Sequence, residues 1–155
     1  MKKLMTGVLA LAIAGAMMGP VNAESTSVTY NQSSSYEITI PASVVLNKDT
    51  VVTQTISMKS INMTPTEKII VKVTNGVDNS GYITLNRTGG GTAKVRVSLS
   101  QNGAGITPTT IVADFRNQIT TSQTGTGTLY YSAVGSVNSG SYSTTLTFTV
   151  SKATI

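Results

Sequence analysis

Alternation of apolar and hydroxyl-bearing residues is clearest near the end of the chain, in residues 140–151. One parity is apolar apart from a single threonine: Tyr142, Thr144, Leu146, Phe148 and Val150. The other parity holds only serine and threonine: Ser141, Ser143, Thr145, Thr147, Thr149 and Ser151. A period of two places such sets on opposite faces of a strand. The pattern therefore predicts one strand with a buried apolar face and an uncharged polar face.

This closing strand has neither charge nor proline in residues 141–151. Proteins usually protect exposed sheet edges with one or the other. The strand is therefore expected either to be paired on both sides or to be an edge that receives a partner.

Shorter alternating segments precede the closing strand, and Gly, Pro, Asn and Asp separate them as turn residues. The predicted strands are 36–40 with a continuation in 43–46, then 50–58, 67–74, 82–86, 93–99, 111–115 and 128–134. No segment after residue 23 has helical periodicity with caps. The pattern predicts an all-β fold, an antiparallel immunoglobulin-like β-sandwich of about 7–9 strands. A small barrel is the alternative.

The apolar parity of each segment predicts which side chains form the core. The expected inward residues are Val52, Ile56, Met58, Ile69, Val71, Val73, Ile83, Leu85, Ala93, Val95, Val97, Leu99, Leu129 and Tyr131. Glu37 falls on the opposite parity to its apolar neighbours and is expected to face solvent. Tyr130 and Tyr131 are adjacent, so one of them is expected to point outward.

The first 23 residues have the organisation of a secretory signal peptide. Lys2 and Lys3 precede an apolar stretch, residues 4–18, which is shorter than the roughly 20 residues of a membrane span. Small residues precede the predicted cleavage site after Ala23. An uncleaved membrane anchor is the alternative, and no later segment is apolar enough to span a bilayer. The sequence predicts a secreted protein located outside the cell or on its surface.

Three regions follow from this assignment: a signal peptide at 1–23, a flexible polar leader at 24–35 and a β-sandwich domain at 36–155. Removing 23 of the 155 residues leaves 132, which is enough for one domain with its own core. The signal carries two of the eleven basic residues and none of the six acidic ones, so the net charge falls from +5 to +3. These basic residues are spread along the chain, whereas nucleic-acid binders concentrate them. We therefore expect no nucleic-acid partner.

Catalytic side chains are scarce. The chain has no histidine and no cysteine, which excludes Ser-His and Cys-His pairs, imidazole metal ligands and disulfides. Of the six carboxylates, Asp49 and Asp78 fall in turn segments. Residues 78–81 could supply oxygen ligands to Ca²⁺, but they lack the further carboxylates of a high-affinity loop, and a plain β-turn is the preferred interpretation. The expectation is a protein that is not an enzyme and needs no cofactor or metal.

Two segments carry a family resemblance: residues 28–41, which end in Ile-Pro, and residues 139–151, in which Gly140-Ser-Tyr142 leads into Thr/Val alternation. This pairing resembles small secreted β-sandwich modules of Gram-positive cell surfaces. The closing motif is also similar to the final strand of fimbrial subunits and spore-coat-like secreted proteins. Most fimbrial subunits of the classical type carry a disulfide, which this chain lacks. The resemblance implies a surface protein with a structural or adhesive role.

The preferred hypothesis is a bacterial structural or adhesive surface protein that forms a fibre in the manner of a pilin. In strand complementation the leader of one subunit completes the sheet of the next. Val28 and Tyr30 alternate in the leader and are the candidate strand-donor anchors. The partner would then be a second copy or another surface protein. The alternative is a secreted module that binds a glycan or host protein through the polar loops Gln101–Thr110 and Asn117–Gly127.

Overall fold

The computed structural model describes residues 29–30, 33–116 and 125–155, without the side chains at 60–61 and 125–126. The chain divides into residues 1–31, of which Thr29 and Tyr30 are described, and residues 32–155. The predicted signal peptide and most of the predicted leader therefore lie outside the described residues. In the described part of the chain, no helix is long and apolar enough to cross a membrane.

The described residues form nine β-strands and no helix, as the period-two alternation predicts. In chain order they are β1 (Ser35–Thr39), β2 (Val52–Asn62), β3 (Glu67–Asn75), β4 (Tyr82–Arg87), β5 (Thr92–Ser98), β6 (Ile111–Arg116), β7 (Gly125–Tyr131), β8 (Tyr142–Ser143) and β9 (Thr147–Thr154).

Two antiparallel sheets make up the domain. The larger has six strands in the order β1-β2-β7-β5-β4-β8, and the smaller has three in the order β6-β3-β9. The sandwich predicted from the sequence is thus confirmed, with a strand number inside the expected range. Because the small sheet has only three strands, it cannot cover the whole inner face of the large one.

The core lies between the sheets and follows the predicted parities. Ile56 and Met58 of β2, together with Leu129 of β7, are buried in the large sheet. Ile69, Val71 and Val73 of β3 are 0% exposed in the small sheet. Full burial of an aliphatic side chain of this size contributes about 1.5–3 kcal/mol. The central strand of the small sheet is therefore a main source of stability.

The two sheets approach each other closely where β7 faces β6. A Cβ added at Gly127 would lie 2.5 Å from Ala113 Cβ and 2.7 Å from the Val112 carbonyl oxygen. Cβ atoms do not approach other atoms this closely, so a side chain at residue 127 would push the sheets apart. The glycine in β7 therefore closes the sandwich on this side.

The prediction of a single closing strand at 140–151 is wrong, because this segment forms two strands that belong to different sheets. β8 pairs with β4 of the large sheet, and β9 pairs with β3 of the small sheet. The chain crosses between them at 144–146, where Thr144 interrupts the apolar parity. The hydroxyl in the apolar series marks the position at which the segment leaves the first sheet.

Other predicted boundaries are wrong as well: β2 continues to Asn62 instead of ending at 58, and β7 ends at Tyr131 instead of 134. Three further differences have a clear cause. Residues 43–46 form no strand, because the chain bends at Ala42 and leaves the large sheet after β1. Leu99 is 46% exposed: β5 ends at Ser98, whose Oγ donates a hydrogen bond to the Ser100 carbonyl as the chain turns. Gly125–Gly127, assigned to a loop, pairs with Ile56–Met58 through its backbone and belongs to β7.

Candidate functional site

An apolar cleft of about 800 Å³ opens between the sheets on the β9 side of the sandwich. One wall is the irregular segment 40–46, and the other is the crossover 144–146 with the start of β9. The apolar side chains that line it include Val44, Leu46, Ile83, Leu85, Leu146 and Phe148. We refer to this space as the apolar cleft.

The volume of the apolar cleft matches a short length of extended chain. Neighbouring strands lie about 4.8 Å apart, packed sheets about 10 Å apart, and a strand rises about 3.4 Å per residue. A missing strand sector of about five residues would therefore leave a space of about 800 Å³. The same volume also lies within the usual range of small-ligand pockets, about 300–1,000 Å³.

Two exposed aliphatic side chains line the apolar cleft. Val45 is 86% exposed and Val137 is 43% exposed. Exposed apolar side chains beside a pocket are typical of a binding site. The cleft and its rim together therefore form the strongest candidate site in the described residues.

Strand β9 is an edge of the small sheet. The sequence alone left open whether the closing strand is paired on both sides or lies at an edge. It pairs with β3 on one side, and no described strand pairs with its other side. Val150 lies opposite Val71, and Phe148 lies opposite Val73, so these side chains share the inner face of the small sheet. The β3 residues are 0% exposed, whereas Val150 is 37% exposed. The core is therefore incompletely covered along β9.

The floor of the apolar cleft contains one buried polar pair. The Tyr131 hydroxyl donates a hydrogen bond of 2.5 Å to Gln54 Oε1, and Gln54 Nε2 donates one of 3.3 Å to the Pro41 carbonyl. Gln54 is 5% exposed and Tyr131 is 3% exposed. Burial raises the pKa of Tyr131 to about 12, so the phenol stays protonated and continues to donate. The pair ties the start of segment 40–46 to the large sheet.

Gln54 and segment 40–46 were not identified as site residues from the sequence. Gln54 does fall on the buried parity of β2, between Val52 and Ile56, and a polar residue at such a position is a signal. Nothing in the sequence of segment 40–46 indicates the wall of a cleft, because its alternating apolar and polar residues are typical of a strand. Its role as a wall depends on the bend at Ala42, which is a tertiary feature.

The predicted strand-donor anchors are not both described. Val28 lies outside the described residues. Tyr30 is described and is 76% exposed. The structure therefore leaves the proposed role of both residues as a prediction.

The described carboxylates are all engaged by cations rather than gathered into a site. Their ion pairs are Glu37–Lys59 at 3.0 Å, Asp49–Lys48 at 2.8 Å, Glu67–Lys152 at 2.5 Å, Asp78–Lys94 at 3.9 Å and Asp114–Lys68 at 3.0 Å. Neither the apolar cleft nor any group of three acids in the described residues offers a metal site.

Asp78 has the geometry of a turn residue. Its Oδ1 accepts hydrogen bonds of 2.9 Å from the backbone N–H groups of Tyr82 and Ser80. The bond from Tyr82 is the main cause that lowers the pKa of Asp78. Backbone N–H groups thus occupy an oxygen that a Ca²⁺ site would need, and the β-turn interpretation of residues 78–81 is correct.

Comparison with known proteins adds no assignment. We found no matching protein-family model, no similar curated protein and no similar solved structure. The functional argument therefore depends on the chain and its geometry alone.

Proposed function

We propose that this protein is a secreted bacterial surface protein with a structural or adhesive role, and that it is a fibre subunit. The observation that carries the proposal is the β9 edge beside the apolar cleft. In this arrangement the part of the leader that precedes β1, residues 24–34, lies along β9 of the next copy and fills the cleft. A partner strand added in this way gains backbone hydrogen bonds from the edge and apolar contacts from the cleft.

The leader has suitable length and pattern. Residues 24–34 precede β1, and eleven extended residues reach about 37 Å. The cleft needs only about five of them by the volume argument above. Val28 and Tyr30 are two residues apart, so both side chains can enter the cleft while Thr29 faces away.

The chemistry of the edge also supports a protein strand as the occupant. A small apolar ligand would satisfy the side chains of the cleft but would leave the free backbone groups of β9 unpaired. An added strand satisfies both. Residues 147–151 of β9 carry no charge, and the one charge in this strand, Lys152, is paired with Glu67 of β3, so the part of the edge beside the cleft is open to pairing.

Electron microscopy of the protein that begins at Glu24 tests the proposal. We expect fibres from the unaltered protein and monomers after deletion of residues 24–34. The double variant V28D/Y30D should also stay monomeric, because it places charge in the apolar cleft. Its matched control is S27D/T29D, which adds the same charge on the opposite parity and should still form fibres.

Two results would refute the fibre proposal. One is a protein that remains monomeric at high concentration with or without residues 24–34. The other is equal assembly of V28D/Y30D and its control. A monomer whose thermal stability falls on deletion of the leader would instead show that the leader fills the cleft of its own chain.

A further inference from the structure

A second, polar cleft of about 410 Å³ lies next to the apolar cleft, on the other side of Tyr142. It is formed by the β4–β5 hairpin and the loop that precedes β8. Its polar lining consists of Arg87, Thr92, Ser136, Asn138 and Tyr142. No carboxylate is among its lining residues. A ligand in this space would meet one guanidinium and several uncharged hydrogen-bonding groups.

Arg87 is held in a fixed position. Its Nε donates a hydrogen bond of 2.6 Å to the Gly90 carbonyl, and its Nη1 donates one of 3.2 Å to the Ser139 carbonyl. A Cβ at Gly140 would lie 2.8 Å from Arg87 Cδ, so only glycine lets the arginine stem pack against this loop. The guanidinium is thus oriented before any ligand binds, which lowers the entropic cost of binding.

Arg87 has no acidic partner among the described residues, in contrast to most of the cations there. A guanidinium has five N–H groups, and the two carbonyl bonds use two of them. The remaining N–H groups include both on Nη2. A planar fork of this kind binds carboxylates through paired, charge-assisted hydrogen bonds.

The other groups in the polar cleft suit a sugar. Hydroxyl and amide side chains from Thr92, Ser136 and Asn138 can bond sugar hydroxyls. The Tyr142 hydroxyl donates a hydrogen bond of 3.0 Å to the Asn138 carbonyl, which fixes the ring at the border of the cleft. An aromatic ring offers an apolar face to a pyranose. A cleft of this size accommodates one or two sugar units and not a folded partner.

We propose that the polar cleft binds a sugar residue that carries a carboxylate, with Arg87 as the carboxylate ligand. This site goes beyond the fibre role, since it gives each subunit a means of adhesion to acidic glycans. It uses no residue of β9 and no leader residue.

The test is titration of the protein with glucuronic acid and with N-acetylneuraminic acid, followed through the Arg87 Nε–H resonance and by calorimetry. Glucose supplies the hydroxyl groups alone, and acetate supplies the carboxylate alone. We expect at least one acidic sugar to bind in the millimolar range or tighter and to shift the Arg87 signal. Glucose and acetate should each bind at least tenfold more weakly.

The variant R87Q should reduce acidic-sugar affinity at least tenfold, because it removes the charge-assisted pair of hydrogen bonds to the carboxylate. R96Q is the matched control: Arg96 also lacks an acidic partner in the described residues, but it lies over the Tyr82 ring, 5.7 Å from its centroid. R96Q should bind as the unaltered protein does. R87Q should still form fibres, so a failure of this proposal can be told apart from a failure of the fibre proposal.

Three results would overturn the assignment: no acidic sugar binds, glucose or acetate binds as tightly, or R87Q and R96Q bind alike. If R87Q does not fold, the Arg87 Nε–H resonance of the unaltered protein decides the matter. A shift with acidic sugar supports the site, and no shift at saturation of either sugar refutes it.

Discussion

The buried Tyr131–Gln54 pair gives the sharpest test of how the apolar cleft is built. Tyr131→Phe removes only the hydroxyl that donates to Gln54 Oε1 at 2.5 Å. Both residues are at most 5% exposed, so no bulk water replaces the lost donor. A buried acceptor left without its donor costs about 1–3 kcal/mol. We therefore expect the free energy of unfolding to fall by about 2 kcal/mol and Tm by several degrees.

A double-mutant cycle separates this pair from general packing effects. Gln54→Leu should also destabilise, because it leaves the Tyr131 hydroxyl buried without an acceptor. The double variant replaces both partners by apolar groups, so neither is left unpaired. The fall in its free energy of unfolding should be smaller than the sum of the two single falls by at least about 1 kcal/mol. The matched control is Tyr130→Phe, on the opposite and half-exposed face of β7, which should change stability by less than about 0.5 kcal/mol.

Urea unfolding of the protein that begins at Glu24, at concentrations where it is monomeric, measures these energies. The slope of unfolding free energy against urea should not change, since the exposed surface is the same. The reasoning would be refuted if Tyr131→Phe cost no more than Tyr130→Phe. Additive losses in the cycle would contradict it as well.

Three further predictions follow from other parts of the fold. Gly127→Ala should destabilise by about 1–3 kcal/mol in thermal unfolding, because the new Cβ would meet Ala113 Cβ at 2.5 Å; an unchanged Tm would show that the sheets do not close there. Thr109→Gly should raise stability by up to about 1 kcal/mol, since Thr109 has φ of 81° in a turn where glycine has no strain; a lower Tm would contradict the assignment of strain. The pKa of Glu67 is lowered, mainly by the hydrogen bond that Glu67 accepts from Lys152. This contact therefore stabilises the fold at pH values above the pKa of Glu67 in the unfolded chain, about 4. The stabilisation is lost as pH falls through the lower pKa of the folded state. Acid titration of Glu67→Gln should therefore show a smaller loss of stability below pH of about 4 than the unaltered protein, and identical curves would exclude the contribution.

The sandwich follows from sequence because each strand has one clear apolar parity. Ile69, Val71 and Val73 illustrate this, since period-two spacing alone identifies all three as core. Leu99 does not follow this rule. It continues the parity of β5, but a serine hydrogen bond at the end of the strand turns the chain and exposes it.

The apolar cleft could not be predicted, because it depends on which sheet each strand joins. Residues 140–151 alternate almost without interruption, yet the chain changes sheets at 144–146. Whether a strand lies at an edge likewise depends on which strands pair with it, and the alternation of apolar and polar residues does not reveal this. Sequence reasoning correctly reduced β9 to two outcomes, and the strand order selects the edge.

The polar cleft was missed for a different reason. Arg87 and Asn138 lie 51 positions apart in the chain, and neither belongs to a ligand-binding motif. Residues 88–92, which contain three consecutive glycines, indicate a hairpin loop and not a ligand site. Only the fold brings the arginine, the loop and Tyr142 together.

A cysteine trap tests the central claim, that β9 receives the leader of another copy. The chain has no cysteine, so every disulfide must join two of the added residues. We would combine Val28→Cys with a cysteine at Leu146, Phe148 or Val150, because a disulfide forms only when the Cα atoms lie about 4.4–6.8 Å apart. The control pairs Val28→Cys with Lys94→Cys, on the outer face of an internal strand.

Non-reducing gels of the oxidised proteins give the result. The account predicts a ladder of covalent dimers, trimers and longer chains for at least one of the three positions Leu146, Phe148 and Val150, and little product from the Lys94 control. Absence of a ladder at all three positions, or an equal ladder from the control, would contradict it.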